Sequence, residues 1–259
     1  MLNTTVVCRL SPEEEELGKK RVELAQLQSE LAERELCLAN LQAELQAFEG
    51  QYLREVGVLY AELDEWNAKI AQLIAEEDGT VETQSAATKA RAQAEESYSA
   101  AHGEAASATE FTPSPQLKKL YRDVAKRVHP DLATDGADRA ERERLMAEAN
   151  RAYQQGDVDA LRRILEEYES SPESVQGTGV AADLVRVIRQ IKQLQKRIVQ
   201  IELEITSLGA SDIAKLKVKA EDVSNQGRNL LAEMAQDLKR RIDHERRRFE
   251  SLSAKERTP

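Results

Sequence analysis

The stretch from Gln116 to Asp131 reads QLKKLYRDVAKRVHPD. Leu117, Leu120, Tyr121, Val124 and Val128 recur at three- and four-residue steps, so they share one side of a helix. Lys118, Lys119, Arg122, Lys126 and Arg127 fall mainly on the rest, and Asp123 is the one acid from Lys118 to Arg127. Pro130 cannot continue a helix and disfavours helical geometry at His129. The spacing therefore predicts a helix that stops here, with His129 and Asp131 left at an exposed corner. A second helical pattern follows from Arg139 to Gln155, RAERERLMAEANRAYQQ, with Leu145, Ala149, Ala152 and Tyr153 inward. Asp135-Gly136 is the expected turn before it and Gly156-Asp157 its end. Val158 to Tyr168 gives a short last helix with Leu161, Ile164 and Leu165 inward.

Outside this module the chain reads as long helix. Ser11-Pro12-Glu13-Glu14 is a helix start, with Ser as N-cap, Pro in the first turn and acids behind it. An apolar seam runs through Leu24, Leu27, Leu31, Leu38, Leu41, Leu45, Phe48 and Tyr52, interrupted by Arg34, and continues as Val56, Leu59, Leu63, Trp66, Ile70 and Leu73. The steps Phe48-Tyr52-Val56 mark a stutter, read as a local adjustment of packing. Val81 to Ala101 is rich in Ala, Glu, Gln, Ser and Lys, has almost no apolar seam and reads as a solvated helix or a loose tether. A second seam runs from Leu184 through Ile188, Ile191, Leu194, Ile198, Ile201 and Ile205 to Leu208. After a break with a fresh N-cap at Gly209-Ala210-Ser211-Asp212, a third follows through Leu216, Val223, Leu230, Met234, Leu238 and Phe249, with Gly227 near it to allow close approach.

The expected class is all-α, a small helical domain between long coiled-coil helices. The expected divisions are a disordered N-terminus over 1–10, a coiled-coil helix over 11–78 and an Ala/Ser/Glu-rich helix or linker over 79–112. The domain over 113–169, a linker over 170–180, and coiled-coil helices over 181–208 and 211–254 complete the chain. The net charge is −13 up to Ser114, −1 from Pro115 to Glu169 and +4 thereafter. Opposite net charges and comparable lengths favour antiparallel pairing of the arms within one chain, with a coiled-coil homodimer as the competing arrangement.

Tyr121-Arg122, Ala125-Lys126 and His129-Pro130-Asp131, followed by the Ala- and Tyr-ended second helix, resemble helix II, the loop and helix III of a J-domain. That is the DnaJ-type module that activates DnaK-type (heat-shock 70 class) chaperones. The resemblance spans Pro113 to about Glu169. It implies two antiparallel helices and a docking role: Asp131 pairs with an arginine of the chaperone, and His129 and Pro130 hold the loop. Lys118, Lys119, Tyr121, Arg122, Lys126 and Arg127 complete the chaperone-binding set. The aromatic-Leu-Gly run of helix I is not found before helix II, so helix I is short, replaced or lost. Asp123 stands where a basic residue is common, and Leu132 where lysine is common. Without Gly/Phe or Cys-x-x-Cys-x-Gly-x-Gly segments, the chain resembles the divergent J-proteins, in which the other parts set location or client. The expected function is co-chaperone in protein folding and stress response. The alternative is a coiled-coil scaffold or adaptor with a degenerate J-like module.

Composition sets the remaining expectations. Aromatic residues make up 4% and charged residues 32%, which suits helices that bury narrow seams. Cys8 and Cys37 have no metal spacing and suit a reducing compartment. No apolar run approaches the ~18 residues of a membrane span, and the N-terminus is too acidic for a secretory signal. The protein is expected in the cytoplasm, off the membrane, without a cofactor or metal. No enzyme triad or phosphate loop is evident, so ATPase work is assigned to a partner. His102 and His244 sit in polar surroundings and read as surface residues. Lys239-Arg240-Arg241 and Arg246-Arg247-Arg248 are interleaved with acids and read as an arm-pairing surface; nucleic acid is not an expected partner.

Overall fold

The computed structural model describes residues 11–103, 111–133, 136–170 and 179–256. Among these the chain is all-α, with no strand. The expected disorder over 1–10, Cys8, Asp135 of the expected turn, and most of the expected linker over 170–180 lie outside the described residues. No described helix is long and apolar enough to cross a membrane. The helices fall into two compact units, 1–43 with 111–208 and 44–110 with 209–259.

The first unit holds the module and its flanking helices. Helix α1, Pro12–Tyr52, starts with a capping box: Glu14 N–H donates to Ser11 Oγ at 3.2 Å, and Ser11 N–H donates to the Glu14 carboxylate at 2.7 Å. Its Leu31 and Leu38 pack with Leu194, Ile198 and Ile201 of α7, Val180–Gly209. Lower on the pair, Leu17 packs with Val187 and Ile191. Arg21 pairs with Asp183 at 3.1 Å and Glu35 with Arg197 at 3.0 Å. Both pairs span 162 residues, so the partners' numbers rise together and α1 and α7 run parallel. The antiparallel expectation is thereby corrected. Arg21–Asp183 and Arg34–Glu202 also place a base on the acidic arm against an acid on the basic one. Net charge per arm does not describe where the pairs form.

Helices α4, Pro115–Val128, α5, Gly136–Gln155, and α6, Val158–Ser170, build the module. Ser114 caps α4, its Oγ accepting the Leu117 N–H at 3.1 Å, with Pro115 in the first turn. The core joins Leu117, Tyr121, Val124, Ala125 and Val128 of α4 to Leu145, Ala149, Ala152 and Tyr153 of α5 and Leu161 and Ile164 of α6. Ala32, Leu36 and Ala39 of α1 belong to the same core. A residue advances about 100° around a helix, so Leu31 and Ala32 serve different neighbours. α1 is two-faced here, and the module packs along it rather than at the end of an arm.

In the second unit, a π-helical turn over Leu53–Gly57 joins α1 to α2, Val58–Asp78. It lies at the stutter and absorbs the change of phase there. Gly79, at φ +63°, ends α2, and α3, Val81–His102, doubles back along it. Thus 81–102 is a packed helix and not a tether. Its seam is made of small residues: Ala94 and Ala101 are buried, and Thr83, Ala87, Ala90 and Ser97 are half-buried at three- and four-residue steps. Ala61 and Ala68 of α2 are buried too. Ser97 Oγ donates to Asp64 at 2.7 Å, and Arg91 pairs with Glu65 at 3.1 Å.

Helix α8, Asp212–Asn225, is capped by Ser211, whose Oγ accepts the Ala214 N–H at 3.3 Å. The helix expected over 211–254 then breaks. Gly227 takes φ +75° with open space where a Cβ would stand, so it makes a turn and not a close approach. Helix α9, Leu230–Glu256, follows, with Leu231, Leu238 and Ile242 clustered with Val56 and Leu63. Trp66 meets Phe249 edge-on at 5.6 Å.

Because α3 packs through alanine, enlarging that seam is costly. Ala94→Leu is expected to lower stability by about 1–3 kcal/mol through overpacking. Ala86→Leu, on the exposed side of the same helix, is expected to be neutral. Urea unfolding followed by circular dichroism compares the two.

Candidate functional site

The loop after α4 is built by its own tripeptide. Pro130–Leu132 forms one 3-10 turn, closed by Leu132 N–H to His129 O at 3.0 Å and Ala133 N–H to Pro130 O at 3.1 Å. His129 caps this turn: its Nδ1 accepts the Asp131 N–H at 3.1 Å. With Nδ1 accepting, the ring proton sits on Nε2, which donates to Glu35 Oε1 at 3.0 Å. His129 is 2% exposed. The expectation of an exposed corner therefore fails for the histidine. Proline ends α4 as expected, but α1 and α7 cover the turn that results.

Glu35 is the centre of this cover. Its Oε1 also accepts Arg197 Nε–H at 3.1 Å, with Arg197 Nη2 in ion-pair contact at 3.0 Å, and Arg197 Nη1 reaches Glu204 at 2.8 Å. Burial pushes the Glu35 carboxyl up, but the His129 hydrogen bond and the Arg197 charge outweigh it and hold it below the usual carboxylate range. Leu132, which follows the tripeptide, packs into the α1–α7 seam with Leu31, Leu38 and Leu194. An apolar residue there has a packing partner that a lysine would lack.

Tyr121 is also out of reach. It is 1% exposed, its ring lies 4.6 Å from that of Tyr153, and its hydroxyl donates to Asn150 at 2.6 Å. Burial pushes the Tyr121 phenol well up, with the Glu35 charge adding to it. Tyr121 is thus a core residue, which corrects its expected place in a docking surface. Tyr153 Oη donates to Asn40 of α1 at 2.6 Å. Phe111 packs edge-on against Tyr153 at 5.5 Å.

The basic residues divide. Lys119, Lys126 and Arg127 are exposed, and Lys118 is half-buried. Arg122 is engaged: its Nη1 donates to Glu33 of α1 at 3.0 Å and 3.3 Å. Asp131 is half-buried, 3.8 Å from His129 Nδ1 and 3.9 Å from Arg139. Pro130 is half-buried on the same turn.

Arg142 was not among the expected site residues, yet it fastens the end of α4. It donates to the Arg127 carbonyl at 2.8 Å, to Asp138 at 2.7 Å and to Tyr168 Oη at 2.5 Å. Glu35 and Arg197 were also missed. Their sequence signal is faint: Arg34 and Glu35 are two charges inside a leucine seam. Among the described residues, no group of three His, Cys, Asp or Glu could hold a metal ion. His102 and His244 are exposed, as expected.

The Glu35 contact has a pH signature. Its folded value lies below its unfolded one, so its contribution is present above the usual carboxylate range and is lost as pH falls through the lower folded value. His129, Arg197 and Tyr121 face it from the loop, α7 and α4. Glu35→Gln is expected to flatten the rise of stability with pH through and below the usual carboxylate range. At neutral pH, Glu35→Ala is expected to cost about 3 kcal/mol, the low end for a broken buried pair because water reaches Arg197. Urea unfolding at a series of pH values checks both.

Comparison with protein-family models, with curated proteins and with solved structures finds no match in any of the three.

Proposed function

We propose that the chain is a J-type co-chaperone: it recruits a DnaK-type chaperone and stimulates its ATP hydrolysis, and the helical arms hold a client or set location. The observation that carries this reading is the order of parts on one hairpin. A basic helix runs into a capped His-Pro-Asp turn and then into a helix packed back on it through Tyr121 and Tyr153. Lys119, Lys126 and Arg127 face outward on that helix, close in sequence to Asp131. Exposed charges of this kind raise association rates with an acidic partner and respond to salt. The core contact that a missing helix I would leave open is filled by Ala32, Leu36 and Ala39 of α1. This favours replacement over loss.

A second reading has its own observation. His129 holds α1 to the module through Glu35, which suits an adaptor whose J-like module has become a structural joint. The two readings differ in one assay, ATP turnover of a DnaK-type chaperone with this protein added. The co-chaperone reading expects stimulation by the wild type. Lys119→Glu with Lys126→Glu is expected to weaken it, and Asp131→Asn, which leaves the Glu35–His129 bond intact, to remove most of it. His129→Gln is expected to abolish it, with circular dichroism checking the fold. No stimulation by a folded wild type at saturating concentration would leave the adaptor reading.

A further inference from the structure

We infer that the His-Pro-Asp loop is held shut by the chain's own arms, so that Glu33 and Glu35 of α1 with Arg197 of α7 form an autoinhibitory lock. This rests on the co-chaperone reading.

The argument starts from access. Any partner that reads the loop must reach His129, Asp131 and the basic side of α4. His129 is buried, with Nδ1 used by its own turn and Nε2 by Glu35. Leu132 is buried in the α1–α7 seam. Arg122, the basic residue one turn from Lys126, is occupied by Glu33. Two carboxylates of α1 thus sit where an acidic partner would place its own. Arg197 holds the second of them from behind with two nitrogens and is itself steadied by Glu204. The exposed Lys119 and Lys126 can make a first encounter while the loop is closed. Full engagement needs α1 and α7 to come away from the loop, and the fraction of molecules in that state scales the apparent affinity. A partner or client that binds the α1–α7 pair would then set the activity of the module without touching it.

The test uses the full chain and two readouts. One is amide hydrogen exchange at residues 131–133, which needs no chaperone. The other is ATP turnover of a DnaK-type chaperone. The variant Glu33→Lys with Arg197→Ala removes the surface pair and the rear support while leaving the core side chains in place. Glu35→Asp is the second variant: it withdraws the carboxylate by one methylene and keeps its charge. Circular dichroism checks that each stays helical. The expected result is faster exchange at 131–133 and stimulation at sub-saturating concentration raised about ten-fold, as when the open fraction rises from one in ten to nearly all. Unchanged exchange in both variants overturns the lock. Faster exchange with stimulation equal to that of an active wild type also overturns it, and leaves the co-chaperone reading standing. Faster exchange with no stimulation by wild type or variants removes both.

Discussion

One buried carboxylate oxygen organises the first unit. Glu35 Oε1 accepts one hydrogen bond from the loop and one from the α7 guanidinium whose charge it pairs with, and it lies on a helix that enters the module's core. A carboxylate taken out of water is costly unless its lone pairs are filled. Here an imidazole N–H and a guanidinium fill them, so each partner is needed by the other two. The contact joins segments 94 and 162 residues apart in sequence. Nothing local could hold them in this register. Apolar packing supplies the bulk of the burial, and the polar centre supplies the specificity of place, because leucine seams tolerate sliding and a three-centre contact does not.

The two faces of α1 follow from that centre. Leu31 and Leu38 serve α7, while Ala32, Leu36 and Ala39 serve the module. Glu35 sits among these positions, on the same stretch as both faces. A helix with one stripe would have to choose between a coiled-coil partner and a globular one. On the module side α1 places Ala32 and Ala39 around Leu36, which lets the module approach closely, and on the other side leucines fill the seam. Asn40 extends the same logic by accepting the Tyr153 hydroxyl.

Most of the helical architecture was legible because it is written locally. Ser11 and Ser211 announce helix starts, Pro130 announces a stop, and the inward residues of α4, α5 and α6 follow their periodicity. What failed was written between segments. The direction of arm pairing depends on how often the chain reverses, and α3, which doubles back after Gly79, carries almost none of the large apolar residues that mark a packed helix. Its alanine seam is invisible to a reading that weighs hydrophobicity by size. Gly227 reads alike as a close contact or as a turn until its φ is known. The exposure of His129 was inferred from the tripeptide alone, which fixes the turn but not what lies over it.

That last failure has a chemical reason. Once Nδ1 has closed the turn by accepting the Asp131 N–H, His129 has one N–H left, pointing away from the loop. A lone outward donor on a rigid turn is a specific contact for any carboxylate that reaches it. A partner can supply that carboxylate, or the chain can supply its own. The same geometry that makes such a turn recognisable to another molecule therefore makes it easy to cap from within. A chain with an acid-rich helix packed alongside holds the capping group at an effective concentration that a separate partner must exceed.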